Sequence, residues 1–198
     1  LDGDSLTRLI DDEGVTVALG VPTIWQGLLA SLDKLGSKAE TLTRTVVGGS
    51  ACPPSMIAEF RDKYGTEAVH AWGMTETSTC GTVLQPEEVA LEGPRSRRLT
   101  SVGKAAAGME VRVVDEKGEA VACDGEQTGE AILRGDAVMK GYWKREEATA
   151  KTVVDGWLHT GDAGYLDEDG YLFIKDRVKD LIISGGENIY PAEVENVL

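Results

Sequence analysis

One short stretch holds side chains that could do chemistry together: His70-Ala71-Trp72-Gly73-Met74-Thr75-Glu76-Thr77-Ser78. It follows an apolar, strand-like run, and loops at the strand ends of α/β sheets are where ligands usually bind. An aromatic face such as Trp72 stacks on a nucleobase for roughly 1–3 kcal/mol. Gly73 lets backbone approach a ligand or turn sharply. The Thr75 hydroxyl can donate to a phosphate oxygen, and the Glu76 carboxylate can hold Mg²⁺ that bridges phosphates. Taken alone, the same stretch also reads as an ordinary strand-to-loop turn around a buried tryptophan.

Three other stretches keep it company. Gly48-Gly49-Ser50-Ala51 leaves backbone exposed at a strand end, which suits a flat ring lying against main chain; a plain strand-to-helix turn is the alternative. Trp157-Leu158-His159-Thr160-Gly161-Asp162 presents a carboxylate on a glycine turn, where it can accept both ribose hydroxyls; an Asx-type turn is the alternative. Asp176-Arg177-Val178-Lys179-Asp180, followed by Gly185-Gly186-Glu187-Asn188, is either functional or a solvated charged loop. No Walker loop and no Gly-x-Gly-x-x-Gly fingerprint occurs. Cys52 stands where a nucleophile elbow around Ser50 needs its closing glycine. Cys52, Cys80 and Cys123 are widely spaced, and His70 and His159 are the two histidines. That pattern argues against a zinc site or a disulfide scaffold and fits a reducing cytoplasm.

The elements that must position these residues come in two textures. Asp4 and Ser5 are placed to cap a helix carrying Leu6, Leu9 and Ile10, ended by Gly14. Val15 to Leu19 reads as a buried strand. Pro22 and Thr23 open a second helix with Ile24, Leu28, Leu29 and Leu32 on one face, stopped near Gly36. Thr45 to Val47 is a short strand, Pro53 and Pro54 start a third helix through Ile57, Phe60 and Tyr64, and Glu67 to Ala71 is the next strand. Helix alternating with strand at short intervals predicts βα units and a parallel sheet. After about residue 100 the pattern alternates every second residue, at Met109 to Val114, Glu130 to Arg134 and Tyr171 to Ile174, with turns at Asp115 to Gly118 and Asp167 to Gly170. That predicts a small antiparallel, barrel-like subdomain. A helix is expected over Arg145 to Val153, and a hairpin over Asp180 to Ile183 with a Ser184-Gly185-Gly186 turn, then a helix opened by Pro191. The expected organisation is a βα subdomain over 1–84, a β-rich subdomain over 85–176, and the start of a small α+β domain over 177–198.

With 198 residues, of which 41% are hydrophobic, a real core can form. The net charge of −14 argues against a nucleic-acid or anionic-membrane surface, which needs a basic field. No apolar run is long enough to predict a transmembrane helix.

Trp72-Gly73-Met74-Thr75-Glu76, Thr160-Gly161-Asp162, Asp176-Arg177-Val178-Lys179-Asp180 and Ser184-Gly185-Gly186-Glu187-Asn188-Ile189 occur in the order and spacing of the adenylate-forming superfamily, which holds acyl-CoA synthetases, luciferases and peptide-synthetase adenylation domains. The resemblance covers essentially the whole chain. Within the superfamily the chain is most similar to medium- or long-chain fatty acyl-CoA ligases and methylthiopropionate-CoA ligases, through Val21-Pro22-Thr23, Trp72 in place of a frequent tyrosine, and Gly-Gly-Glu-Asn-Ile near the end.

The resemblance implies that a carboxylate attacks the α-phosphorus of ATP, giving acyl-adenylate and pyrophosphate, and that the thiol of coenzyme A then displaces AMP. It implies that Gly49, Ser50 and Ala51 line the adenine and acyl pocket and that Ala71, Trp72, Gly73 and Met74 complete the nucleotide site, with Trp72 on the adenine. Thr75 would bind phosphate and Glu76 the Mg²⁺. Asp162 would hold the ribose hydroxyls, with Arg177 adding a contact. Lys179 would be the hinge residue, and Ser184, Gly185, Gly186 and Glu187 would border the path of coenzyme A. The expected partners are a carboxylic acid, ATP and coenzyme A in the cytoplasm, and a homodimer is admitted. The superfamily's phosphate loop is expected before residue 1 and its catalytic lysine after Leu198, so this stretch alone is expected to be inactive. Competing readings are a carrier-protein-loading adenylation domain, a non-catalytic nucleotide-binding module and, more remotely, a luciferase-type oxygenase.

Overall fold

Glycine ends the first three helices. Helix α1 (Gly3–Glu13), α2 (Pro22–Leu35) and α3 (Pro54–Tyr64) stop at Gly14, Gly36 and Gly65, each left-handed with φ of 62°, 67° and 66°. A left-handed cap costs a side chain least when that side chain is a hydrogen. The start of α1 differs from expectation. Asp2, not Asp4 or Ser5, is the cap: its carboxylate accepts from the Ser5 N–H at 2.9 Å and the Ser5 hydroxyl at 3.1 Å. Asp4 instead accepts from Ser31 Oγ and Lys34 Nζ on α2, both at 2.7 Å. The two helices approach closely because Gly3 sits against the Gly27 carbonyl, where a Cβ would collide.

The computed structural model describes residues 2–85, 93–180, 182–184, 187–189 and 191. They form two compact units, Leu1–Met74 with Val83–Gly103, and Thr75–Thr82 with Lys104–Leu198. In the first unit, β1 (Val17–Gly20), β2 (Arg44–Val47) and β3 (Glu67–Trp72) are parallel neighbours, with Gly20 beside Val47 and Val47 beside His70. β4 (Thr82–Leu84) follows β3 in the sheet order. The βα alternation read from the sequence is therefore borne out.

Beneath the sheet lies a core of Ile10, Leu28, Leu32, Val47, Met56, Phe60 and their neighbours. Trp25 is 1% exposed at its centre. Its Nε1–H donates to both the Gly20 and Val46 carbonyls at 3.2 Å, and its ring meets Phe60 edge-on at 6.1 Å. A buried indole with its N–H satisfied is a tie between the ends of β1 and β2. The expectation of a buried first strand is corrected. β1 lies at the sheet edge, with Val17 49% and Leu19 73% exposed.

The second unit is antiparallel, as the alternating pattern predicts. β5 (Lys104–Ala105) leads into β6 (Met109–Val114) and β7 (Gly129–Gly135). The helix α4 (Glu146–Thr152) is followed by β8 (Val153–Val154), β9 (Trp157–Leu166) and β10 (Leu172–Arg177). The sheet order is β10-β9-β7-β6, with β8 on β9. Asp115 shapes the first turn by accepting the N–H groups of Lys117 and Glu119; Asp167 does the same for Asp169 and Tyr171 before β10. A short antiparallel pair, β11 (Ile182–Ser184) and β12 (Glu187–Ile189), lies where the hairpin is expected, but Ser184 belongs to the strand, not the turn, and Asp180 ends a 3-10 turn before it.

The stretch read as a glycine turn at Thr160 to Asp162 is not a turn. It is the middle of β9, the longest strand described. The pairing of β7 with β9 steps from Glu130 beside Ala163 to Ile132 beside His159. Three residues, 160–162, thus oppose Ala131 alone, and Gly161 takes a φ of 73° inside this bulge. Bulges of this kind bend a sheet and re-aim a side chain. Gly164 next to it abuts the Phe173 carbonyl, leaving no room for a Cβ.

Candidate functional site

In the first unit the carboxyl ends of β2 and β3 lie side by side. Gly48 lies against the Ala71 carbonyl, 3.2 Å from where a Cβ would stand, and Gly49 has a φ of 82° beside Val21. Gly49, Ser50 and Ala51 are exposed, while Ala71, Trp72, Gly73 and Met74 are half-buried. Trp72 is therefore not the buried core tryptophan of the alternative reading. The arrangement offers open backbone on one strand end and an aromatic side chain on the next, outside the carboxyl edge of a parallel sheet, where ligands of such sheets bind. Trp25, by contrast, is core.

His70 anchors this corner. It is 3% exposed, and its Nδ1 lies 3.0 Å from the Ser101 carbonyl, which can only accept. Burial holds its pKa below the ordinary histidine value, although hydrogen bonding to the Ser101 and Ser50 carbonyls pulls the other way. The ring is therefore a neutral strut between β3 and the loop that bears Ser50.

In the second unit Thr75–Thr77 forms a 3-10 turn, with Thr75 exposed and Glu76 half-buried. Ser78 and Thr79 follow with φ of 51° and 75°. Non-glycine residues held there cost about 1 kcal/mol or more each and persist only where surroundings enforce them. Two bonds from a distant loop supply that constraint: Met139 N–H donates to the Glu76 carbonyl at 2.7 Å, and Ser78 Oγ donates to the Ala137 carbonyl at 3.1 Å. The same loop brings Tyr142, whose phenol donates to Glu76 Oε1 at 2.7 Å. That bond, with some burial, raises the Tyr142 pKa. Tyr142 lies 66 residues from Glu76, so no local pattern could have singled it out.

Asp162 is 6% exposed, and its Oδ1 lies 2.9 Å from Arg177 Nε; Arg177 is about half exposed and also donates from Nη1 to the Thr160 carbonyl at 3.2 Å. Asp162 and Arg177 face each other in the β9–β10 register, so the structure brings these two sequence candidates together. Sequence reading gave no role to Glu130 or His159, which flank the same bulge: Glu130 Oε2 lies 2.8 Å from His159 Nδ1, and Glu130 Oε1 accepts the Gly161 N–H at 2.9 Å. Lys179 is exposed within a 3-10 turn, Val178–Asp180. Ser184 and Glu187 face each other across the β11–β12 pair. Gly185 and Gly186 lie outside the described residues.

Magnesium is most often held by one or two carboxylates together with substrate phosphates. Glu76 fits that pattern: Tyr142 takes one oxygen and fixes the carboxylate, leaving the other for a cation. Among the described residues no cluster of three or more His, Cys, Asp or Glu forms a cage for a metal. None of the described helices is long and apolar enough to cross a membrane.

Comparison with known proteins gives a consistent picture. The profile of the family described as AMP-binding enzyme matches residues 1–143. The chain is 49% identical, over 200 residues, to a 3-methylmercaptopropionyl-CoA ligase of Ruegeria pomeroyi, matching 100% of this chain and 37% of that protein. It is 46% identical to a medium-chain-fatty-acid–CoA ligase of Ectopseudomonas oleovorans, matching 100% of this chain and 36% of that one. Its fold superposes with a TM-score of 0.85 on the O-succinylbenzoate coenzyme A synthetase of Bacillus subtilis in complex with ATP and magnesium ion, at 36% identity and covering 100% of this chain and 39% of that one. The chain therefore spans well under half the length of the relatives it matches.

Proposed function

From the premise that this chain belongs to the AMP-binding enzyme family, we propose that the protein containing it activates a carboxylic acid, of the fatty-acid class, with ATP and transfers it to coenzyme A. The acid's carboxylate oxygen attacks the α-phosphorus, the bond to pyrophosphate breaks, and an acyl-adenylate forms. The thiol sulfur then attacks the acyl carbonyl, AMP leaves, and the thiol proton passes to solvent. The observation that carries the reading is the juxtaposition of exposed Gly49-Ser50-Ala51 backbone with half-buried Trp72 at adjacent carboxyl strand ends, a platform for a purine ring.

Each residue then has a task. Trp72 stacks on the adenine, with Ala71, Gly73 and Met74 forming the rest of that wall. Gly49, Ser50 and Ala51 border the ring and the acyl group. Thr75 donates to phosphate. Glu76, steadied by Tyr142, holds the magnesium, which when bound neutralises charge on the phosphates. Asp162 accepts the ribose hydroxyls and Arg177 adds a contact. Lys179 is the hinge, and Ser184 to Glu187 border the path of coenzyme A. The reading puts the reaction in the cytoplasm.

The test is a pyrophosphate-release panel of carboxylic acids on the intact protein, run with and without coenzyme A and magnesium. Acid-dependent pyrophosphate release, with acyl-CoA appearing when the thiol is added, supports the reading. Release of pyrophosphate without consumption of coenzyme A would point to a carrier protein as acceptor. No acid-dependent release from the panel would refute it.

A further inference from the structure

The bulge that carries Asp162 is an expensive piece of backbone. Two extra residues sit in β9 opposite Ala131, so the regular β7–β9 ladder is interrupted there. Buried backbone donors and acceptors are costly to leave without partners, and side chains bond to those at the bulge. Thr160 Oγ1 donates to the Ala131 carbonyl at 2.6 Å and accepts the Asp162 N–H at 3.1 Å. Glu130 reaches across from β7 with both oxygens. One accepts the Gly161 N–H at 2.9 Å; the other meets His159 Nδ1 at 2.8 Å, just before the bulge begins. Glu130 thus spans the residue pair on either side of Thr160, and it is the described side chain that fixes both the entry and the apex of the bulge.

We propose that Glu130 is a positioning residue for nucleotide recognition: by clamping His159 and Gly161 it sets the direction in which the buried Asp162 carboxylate points. The proposal rests on the reading of Asp162 as the ribose-binding carboxylate. Glu130 itself touches no substrate. Its geometry explains the residue types around it. Gly161 is required because its φ of 73° is enforced by the clamp. A carboxylate or amide of this length is required because the Gly161 N–H and His159 Nδ1 must be bridged at once. An aspartate, one methylene shorter, reaches only one of them.

The experiment uses the intact protein and compares ATP with 2′-deoxy-ATP as substrates. Wild type should prefer ATP, and Asp162→Ala should lose most of that preference. Glu130→Ala should resemble Asp162→Ala in discrimination, with the Michaelis constant for ATP raised roughly tenfold and kcat changed by less than about threefold, the pattern of lost ground-state binding. Glu130→Gln should restore discrimination. Its amide oxygen takes the Gly161 N–H, and its amide N–H₂ faces His159 Nδ1, which accepts once the ring proton sits on Nε2. Glu130→Asp should fall between Ala and Gln, and it keeps the test open if the alanine variant does not fold. Lower kcat with ATP preference intact in Glu130→Ala and Glu130→Asp would mean a structural role only and would overturn the proposal. If wild type does not discriminate, or Asp162→Ala still does, the ribose reading itself falls and this proposal with it. If wild type discriminates, Asp162→Ala does not and Glu130→Ala does, Glu130 alone is refuted.

Discussion

Acid should weaken the corner of the fold that bears Trp72, and His70 gives the size of the effect. The ring is 3% exposed and its pKa is depressed by burial. In the unfolded chain the same histidine titrates near 6.5. The unfolded state therefore binds this proton more readily than the folded state, so the contribution is fully present above about pH 6.5 and is lost as pH falls toward the folded value. The unfolded value alone sets the most this residue can contribute between about pH 7.5 and 5.5, RT ln(1 + 10), about 1.4 kcal/mol. The assay is urea unfolding of the 198-residue chain at both pH values, for wild type and His70→Asn. Asparagine keeps a donor near the Nδ1 position for the Ser101 carbonyl and removes the titration. Carboxylates affect both proteins alike and cancel in the difference. Wild type should lose up to about 1.4 kcal/mol more than the variant over this range. An equal pH dependence for the two proteins would refute the argument that burial of the neutral ring governs this site.

The other expectations concern single residues in the intact protein. Trp72→Ala should raise the apparent Michaelis constant for ATP more than that for the acid, by a lost stack of roughly 1–3 kcal/mol; unchanged ATP dependence in steady-state kinetics would mean no base stacks there. Glu76→Gln should slow pyrophosphate release by roughly 10²–10³-fold, the scale of a lost preorganised electrostatic group, and a wild-type rate and magnesium dependence would sink the assignment. Lys179→Pro should spare pyrophosphate release and cripple acyl-CoA formation, since proline fixes φ near −65° and a hinge must change it; equal loss of both steps in a folded variant would exclude the hinge. Gly164→Ala should cost several kcal/mol in thermal or chemical unfolding, because its methyl meets the Phe173 carbonyl; a shift under about 1 kcal/mol would show that β9 and β10 can part.

What the sequence made legible was what is local. Helix ends at Gly14, Gly36 and Gly65 follow from backbone that only glycine adopts cheaply, and the strand alternation of Met109 to Val114 follows from a two-residue repeat. The family motifs were legible for the same reason, being short contiguous runs. What was not legible depends on partners far along the chain. Val15 to Leu19 looks buried because it is apolar, yet Leu19 faces outward from an edge. Thr160 to Asp162 looks like a turn because glycine usually marks one, whereas the partners it has in the bulge, Glu130 and Ala131, lie some thirty residues upstream. The Asp2 cap was missed because Asp4 and Ser5 are equally good caps by type, and Asp4 is claimed by Ser31 and Lys34 on another helix.

The outer edge of β1 also bears on how this chain behaves in a tube. Among the described residues, β1 has a neighbour on one side only, and its Val17 and Leu19 side chains are exposed. A bare strand edge is a template onto which another extended chain can add. Opposing this is the net charge of −14, which repels any second copy. Repulsion acts over the Debye length, about 30 Å at 0.01 M salt and about 8 Å at physiological ionic strength, whereas strand addition is a contact interaction that salt does not screen. Solubility of the isolated chain should therefore fall as salt rises, and dilute low-salt buffer is the condition in which it stays dispersed.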